Sequence, residues 1–237
     1  MEASKDSQFK NVEQPVHSAH FDVPPEIVHT TRRYKIVKRS MDIFGASIGL
    51  ILLSPIFLVV SVIVRKDGGP VFFSQERVGK GGETFKMWKF RSMCVDAEEK
   101  LEELKQFNEI EGAMFKMKDD PRITRIGKII RKTSIDELPQ LWNVLRGDMT
   151  LVGPRPPITR ELEEYTKNDL KRLTVKPGCS GLWQISGRNE LSFDEMVELD
   201  IRYIENQSIR QDVVIIAKTV GILVKSVVNK ASKNGAY

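Results

Sequence analysis

Residues 43–64 read IFGASIGLILLSPIFLVVSVIV, a run without one charged side chain. Its length is roughly the 20 residues a helix needs to cross the hydrocarbon core of a bilayer. Ser54 and Pro55 stand in its middle. A proline inside a helix removes a backbone hydrogen bond and costs about 3 kcal/mol, so a plain membrane anchor has no use for it. The flanks add a second constraint, because Arg32, Arg33, Lys35, Lys38 and Arg39 precede the run and Arg65 and Lys66 follow it. Lys and Arg favour the cytoplasmic side, so a straight span places one cluster on the wrong side. A helix that enters, bends at Ser54-Pro55 and returns satisfies both flanks, and the Ser54 hydroxyl can serve the carbonyl the proline leaves open. The alternative is a single-pass helix with a tolerated proline.

With 237 residues, 41% of them hydrophobic and 29% charged, the chain can build one domain with a real core. Its formal charge of +5 points to an anionic partner: phosphate, nucleic acid or an acidic lipid surface. Cys94 and Cys179 form no C-x-x-C, which argues against a disulfide framework or zinc cluster and fits a reducing compartment. His17, His20 and His29 all precede the apolar run. Chemistry beyond it therefore rests on carboxylates, Lys/Arg, hydroxyls, a thiol or a metal held by oxygen. The polar start lacks periodicity and carries Pro24-Pro25, so residues 1–31 are expected to be a flexible tail, not a signal peptide. Residues 32–66 are then the re-entrant membrane helix and 67–237 a cytoplasmic catalytic domain.

Within that domain, residues 69–93 predict two short strands around a turn at Gly79–Gly82. The turn lacks the spacing of a phosphate loop. Residues 96–107 predict an acidic helix with Leu101 and Leu104 on one side. In DDPRITRIGKIIRK, residues 119–132, the isoleucines Ile123, Ile126, Ile129 and Ile130 fall at helical spacing among Arg122, Arg125, Lys128, Arg131 and Lys132. That pattern suits a helix on an anionic membrane or beside a phosphate, or a core helix with a basic solvent face; proximity to the apolar run favours the first. Two further helices are expected at 193–205 and 209–228, the second packed or interfacial because Asp212, Lys218 and Lys225 interrupt its apolar run. The fold class is α+β, mostly helical, with amphipathic interfacial helices and a short β-hairpin.

The stretch TSIDELPQLWNVLRGDMTLVGPRPP, residues 133–157, concentrates the chemistry. Ser134 and Glu137 fit an S-x-x-E capping box, predicting a helix from here with Leu138, Leu141, Trp142 and Leu145 buried. Asp136 and Glu137 can be explained as first-turn acids that complement the helix dipole. Their cationic surroundings argue otherwise: Arg131 upstream, Arg155 in the Gly-Pro-Arg-Pro-Pro turn, Lys89 and Arg91 in KFRS. Carboxylates among cations suit diphosphate chemistry with a divalent metal, and Mg²⁺ needs only one or two protein carboxylates. Flanking prolines pre-set the backbone that presents Arg155. Further along, Trp183 is either a stacking platform or core, while Gln184, Ser186 and Arg188 offer hydrogen bonds to hydroxyls or phosphate.

Four stretches together, KRSMDIFGASIGLILLSPIFLVV, QERVGKGGETFKMWKFRSM, DELPQLWNVLRGDMTLVGPRP and KPGCSGLWQISGRNELSFDEMVELDIRYI, resemble the bacterial sugar transferases, the monotopic phosphoglycosyl transferases, from about Lys38 to the C-terminus. The resemblance implies transfer of a sugar phosphate from a UDP-sugar to undecaprenyl phosphate, with release of UMP, at the cytoplasmic face of the bacterial plasma membrane. It implies Asp136 as a nucleophile that forms a covalent phosphosugar intermediate, Glu137 as its partner, Mg²⁺ beside them, phosphate binding by Arg155 and a bend at Ser54-Pro55. Larger relatives carry membrane helices and a domain before this unit, so a minimal catalytic form is the expectation. KPGCSGLWQISGR favours an unmodified hexose, galactose or glucose, for an exopolysaccharide or capsule repeat. A homo-oligomer stays open, as does a membrane-tethered, non-catalytic regulator of polysaccharide assembly. A nucleic-acid partner is not expected, because no aromatic-interleaved basic motif is present.

Overall fold

A computed structural model describes residues 22–25, 27–28, 30–66, 68–109, 117–187 and 190–234. Helix α1, Arg32–Arg65, is capped by Thr31, whose hydroxyl accepts from the Tyr34 amide. Its 34 residues run unbroken through Pro55. The Ser54 hydroxyl donates to the Ile51 carbonyl at 2.8 Å, the acceptor that a residue without an N–H at 55 leaves open. By length and composition α1 can cross a membrane. Phe44, Ile51, Leu52 and Leu58 are each about 70% exposed, whereas Asp42, Ala46, Val60 and Val64 are buried along one side.

Both ends of that side are fastened to the same body. At the first end, Lys38 pairs with Asp212 at 2.8 Å and donates to the Val152 carbonyl, Arg39 donates to the carbonyls of Val144 and Leu145, and Asp42 accepts from Thr150 and the Leu151 amide. Lys38 and Arg39 therefore face the protein as well as marking the flank of the apolar run. At the far end, Val60 and Val64 pack with Phe90 and Ile130, and Phe57 lies against Phe90 with ring centroids 5.1 Å apart.

The expected hairpin is present: β1, Phe72–Val78, pairs antiparallel with β2, Thr84–Phe90, from Phe72 opposite Phe90 to Val78 opposite Thr84. The acidic helix follows as α2, Ala97–Leu104. Helix α3, Arg125–Lys132, begins at Thr124, whose hydroxyl caps the Gly127 amide. Gly127 is dictated by close approach, because a Cβ there collides with the Ser92 carbonyl oxygen. Ile130 is buried in the cluster with α1 and β2, while Ile129, Lys128 and Lys132 face outward. Arg122 departs from the basic face: it is buried in an ion pair with Asp120 at 2.7 Å. Helix α4, Gln140–Arg146, leads to β3, Thr150–Val152, which pairs in parallel with β4, Gly178–Ser180. This second sheet was not foreseen.

Helices α5, Phe193–Glu205, and α6, Ile209–Asn234, close the fold, and α6 packs as anticipated. Its Ile215 joins Tyr203, Ile204 and Val152, and its buried Asp212 lies 2.7 Å from the Tyr203 hydroxyl. Two residues at the described end of the expected tail, Val23 and Ile27, touch the core. Val23 packs against the cluster of Val78, Leu162 and Leu173, and Ile27 against that of Val152 and Tyr203. His17, His20 and His29 lie outside the described residues.

Candidate active site

The chain reaches its carboxylate pair through a strained turn. Helix α3 ends at Thr133, whose hydroxyl folds back onto the Ile129 carbonyl at 2.9 Å. Ser134 then adopts φ 56° and ψ 19°, the one positive φ at a non-glycine among the described residues. Such a conformation costs an L-residue roughly 1–2 kcal/mol and persists only where its surroundings hold it. The expected capping box is therefore absent: Ser134 is not extended and its side chain makes no cap bond. The reason is Pro139. A helix begun at Ser134 would need an amide at position 139 for the Ile135 carbonyl, so the chain closes a 3-10 turn over Ile135–Glu137 instead, with the Leu138 amide on Ile135, and α4 starts at Gln140. The buried side of α4 changes accordingly. Gln140, Asn143 and Val144 face inward, Leu141 and Leu145 are partly buried, and Trp142 is 52% exposed.

That turn aims Asp136 into the body, 8% exposed, and leaves Glu137 more open. Burial, then the neighbouring charge of Glu137, pushes the Asp136 carboxyl up to about 6 against the pull of Lys89 and Arg131. Lys89, from β2, reaches Glu137 at 3.0 Å. The strand is held there by Asn143, fully buried, whose amide oxygen accepts from Trp88 N and whose nitrogen donates to the Lys86 carbonyl. One α4 side chain thus satisfies the open edge of β2 and fixes Lys89 against the carboxylate pair.

Arg155 lies on the segment Gly153-Pro154-Arg155-Pro156-Pro157, where three prolines leave carbonyls without matching amides. Each carbonyl from 154 to 157 finds a donor elsewhere: Gly178 N on Pro154, Arg172 on Arg155, Arg77 on Pro156 and Val78 N on Pro157. Arg172 is buried and paired with Asp200 at 2.9 Å, and also donates to the Tyr165 hydroxyl. Burial pushes the Asp200 carboxyl up to about 6 despite Arg172. Burial and the charge of Arg155 push Arg77 down to about 10, and Glu137 and Glu161 act on it in the opposite sense.

Of the residues expected from sequence, Lys89 pairs with Glu137 next to Asp136, and the charges of Lys89 and Arg131 both act on Asp136; Arg155 stands on the loop whose Pro156 carbonyl Arg77 holds. Arg91 does not join them. It is buried and donates to the carbonyls of Pro70, Met93 and Val64, tying down the end of α1, because those carbonyls lie where a helix and a strand both terminate. Gln184 donates to the Cys179 carbonyl, and its own oxygen is buried without a partner close to Asp200 and Gly181. Trp183 is buried, which makes it core and not an open stacking surface. Arg188 lies outside the described residues. Sequence reading missed Arg77, Asn143, Arg172 and Asp200, whose partners are distant in the chain. Burial pushes the Cys179 thiol far up, with Glu137 adding to it, which argues against thiolate chemistry. The cleft of about 780 Å³ between residues 166–171 and α5 contains none of the site carboxylates or cations named from sequence.

No group of three or more His, Cys, Asp or Glu capable of holding a metal occurs among the described residues. Two adjacent carboxylates, one kept high by burial and its neighbour, still suit a hard cation that takes its remaining ligands from phosphate and water.

A family profile described as bacterial sugar transferase matches residues 33–226. The chain is 52% identical over 202 residues to galactosyl transferase CpsE of Streptococcus agalactiae serotype III, covering 83% of this chain and 45% of that protein. It is 43% identical over 210 residues to undecaprenyl-phosphate galactose phosphotransferase of Salmonella typhimurium, covering 87% and 43%. To exopolysaccharide production protein ExoY of Rhizobium meliloti it is 43% identical over 208 residues, covering 86% and 92%. The chain thus spans less than half of the first two and nearly all of the third.

Proposed function

Because the chain belongs to the bacterial sugar transferase family, we propose that it moves hexose 1-phosphate from a UDP-sugar to undecaprenyl phosphate, initiating an exopolysaccharide or capsule repeat. The observation that carries the reading is Asp136: a buried carboxylate without an ion-pair partner among the described residues, beside Glu137, within the field of Lys89 and Arg131. At neutral pH it is mostly ionised yet poorly solvated, the condition of an oxygen nucleophile.

In the proposed reaction an Asp136 oxygen attacks the phosphorus bearing the sugar. The bond from that phosphorus to the bridging oxygen breaks and UMP leaves with the electron pair. An oxygen of undecaprenyl phosphate then attacks the same phosphorus and frees the Asp136 carboxylate. Lys89 orients Glu137, and Arg155 offsets charge on the phosphoryl oxygens. Asp136 and Glu137 would hold Mg²⁺, which supplies charge neutralisation at the phosphates when bound.

The membrane arrangement belongs to the same proposal. Both ends of α1 contact one body, through Lys38 and Asp42 at one end and Val60 and Val64 at the other, while its other faces are apolar and exposed. A helix crossing the bilayer would carry one of those ends away from a body in water, so a re-entrant or embedded α1 with a cytoplasmic domain 67–237 accounts better for the contacts. The exposed basic residues of α3 suit an anionic leaflet. The names of relatives include both galactose and N-acetylgalactosamine, and the resemblance of residues 176–188 favours the unmodified hexose.

UMP release is measured with UDP-galactose, UDP-glucose and their N-acetyl counterparts, in the presence and absence of undecaprenyl phosphate. Label from the sugar should remain on the wild-type protein without lipid and be missing from Asp136→Asn. No UMP release from any donor would overturn the transferase reading; preference for an N-acetylated donor would overturn only the choice of sugar.

A further inference from the structure

Arg77 is 6% exposed, yet it forms no ion pair among the described residues. Its Nη1 donates to the Pro156 carbonyl at 3.2 Å, its Nη2 to Gln75 Oε1 at 2.6 Å, and its Nε is buried with no partner. The Nε of Arg155 is likewise buried and unpartnered. Arg77 thus grips the carbonyl of the residue after Arg155, and the charge of Arg155 is the largest like-charge influence on it. The charges of Glu161 and Glu137 favour Arg77 from a distance, but neither carboxylate bonds to it: Glu161 accepts from the Ile158 amide and Glu137 from Lys89, while Asp200 is paired with Arg172. A buried guanidinium facing another cation without a dedicated counter-ion is destabilising on its own and becomes favourable once an anion arrives.

We propose that Arg77 is a positioning residue for Arg155: it grips the Pro156 carbonyl, confronts Arg155 with a like charge, and so presents the Arg155 guanidinium to a phosphate of the sugar nucleotide. This rests on the reading above that the site takes a nucleoside diphosphate sugar. The two effects of Arg77 have opposite signs. Its charge disfavours the empty protein and favours the anion-loaded one, whereas a purely structural residue would favour both.

The test measures anion binding without turnover. Full-length protein in lipid nanodiscs is titrated with UMP and with inorganic pyrophosphate, binding being read as the shift in thermal unfolding, for wild type, Arg77→Gln, Arg155→Gln and the double variant. Arg77→Gln should weaken both anions about tenfold, leave the unliganded melting temperature unchanged or raised, and raise KM for the UDP-sugar more than it lowers kcat. In the Arg155→Gln background the same change should cost less than threefold, because Arg77 acts through Arg155. Equal losses in both backgrounds, or anion affinity within twofold of wild type, would overturn the proposal. If Arg77→Gln does not fold, Arg77→Lys is read by the same coupling criterion. Coupled anion binding without UMP release from any sugar nucleotide would uphold the pairing and count against the transferase reading alone.

Discussion

Replacing Asp136 by Asn removes a charge that the fold holds at a cost. The ordinary carboxyl value of 3.8 becomes about 6 in the folded protein, with burial the larger cause and Glu137 the second. Between those values the unfolded chain gives up its proton before the folded one does. Stability therefore falls as pH rises from about 4 to about 6 and stays reduced above, a cost of roughly 3 kcal/mol at neutral pH. An amide in the same place lacks that charge but brings donors of its own, and leaving these unmet costs about 1–2 kcal/mol, so the net gain is on the order of 1–2 kcal/mol. For a chain of this size that raises the melting temperature by roughly 2–8 °C. Both proteins are melted in the same detergent with EDTA and no substrate, at pH 7.5 and pH 4.5, with intrinsic fluorescence as the readout. The Asp136→Asn variant should melt higher than wild type at pH 7.5, and most of the difference should be gone at pH 4.5. A difference of equal size at both pH values, or a lower melting temperature at pH 7.5, would refute the account of Asp136 as a buried, uncompensated carboxylate.

Other outcomes follow from the packing and topology. Lys38→Met strands the buried Asp212 charge and should cost about 3–5 kcal/mol in denaturant unfolding, with Asp212→Asn in the same chain restoring part of it. Gly127→Ala drives a Cβ into the Ser92 carbonyl and should destabilise by about 1–3 kcal/mol or more, whereas Gly221→Ala, with open space around it, should be neutral or slightly stabilising. Single cysteines placed before Arg32 and after Lys66, in a chain lacking Cys94 and Cys179, should both resist a membrane-impermeant thiol reagent in intact cells. Labelling of the first alone would mean a through-span, and Ser54-Pro55→Leu-Leu should move α1 toward that state.

What could be read from the sequence was whatever depended on neighbours along the chain. The hairpin of β1 and β2 follows from alternating residues around a glycine turn, α5 from the helical pattern of residues 193–205, and the Ser54 bond to Ile51 from the geometry of proline. Asp136 and Glu137 stood out because cations crowd them in the sequence as well as in space. The same local logic misled at Ser134, where a correct capping pattern lost to Pro139 four residues into the would-be helix. It misled at Arg91 too, since a basic residue in KFRS carries no mark of whether it meets phosphate or three carbonyls. The clamp on the Arg155 loop was beyond reach for a different reason. Prolines at 154, 156 and 157 predict a stiff loop, but its carbonyls are satisfied by Arg77 and Val78, nearly eighty positions upstream, and by Arg172, which Asp200 holds from a separate helix. A loop that cannot bond to itself must borrow donors from distant strands and helices, so the rigidity of Arg155 is a property of the assembled body and not of the segment that contains it.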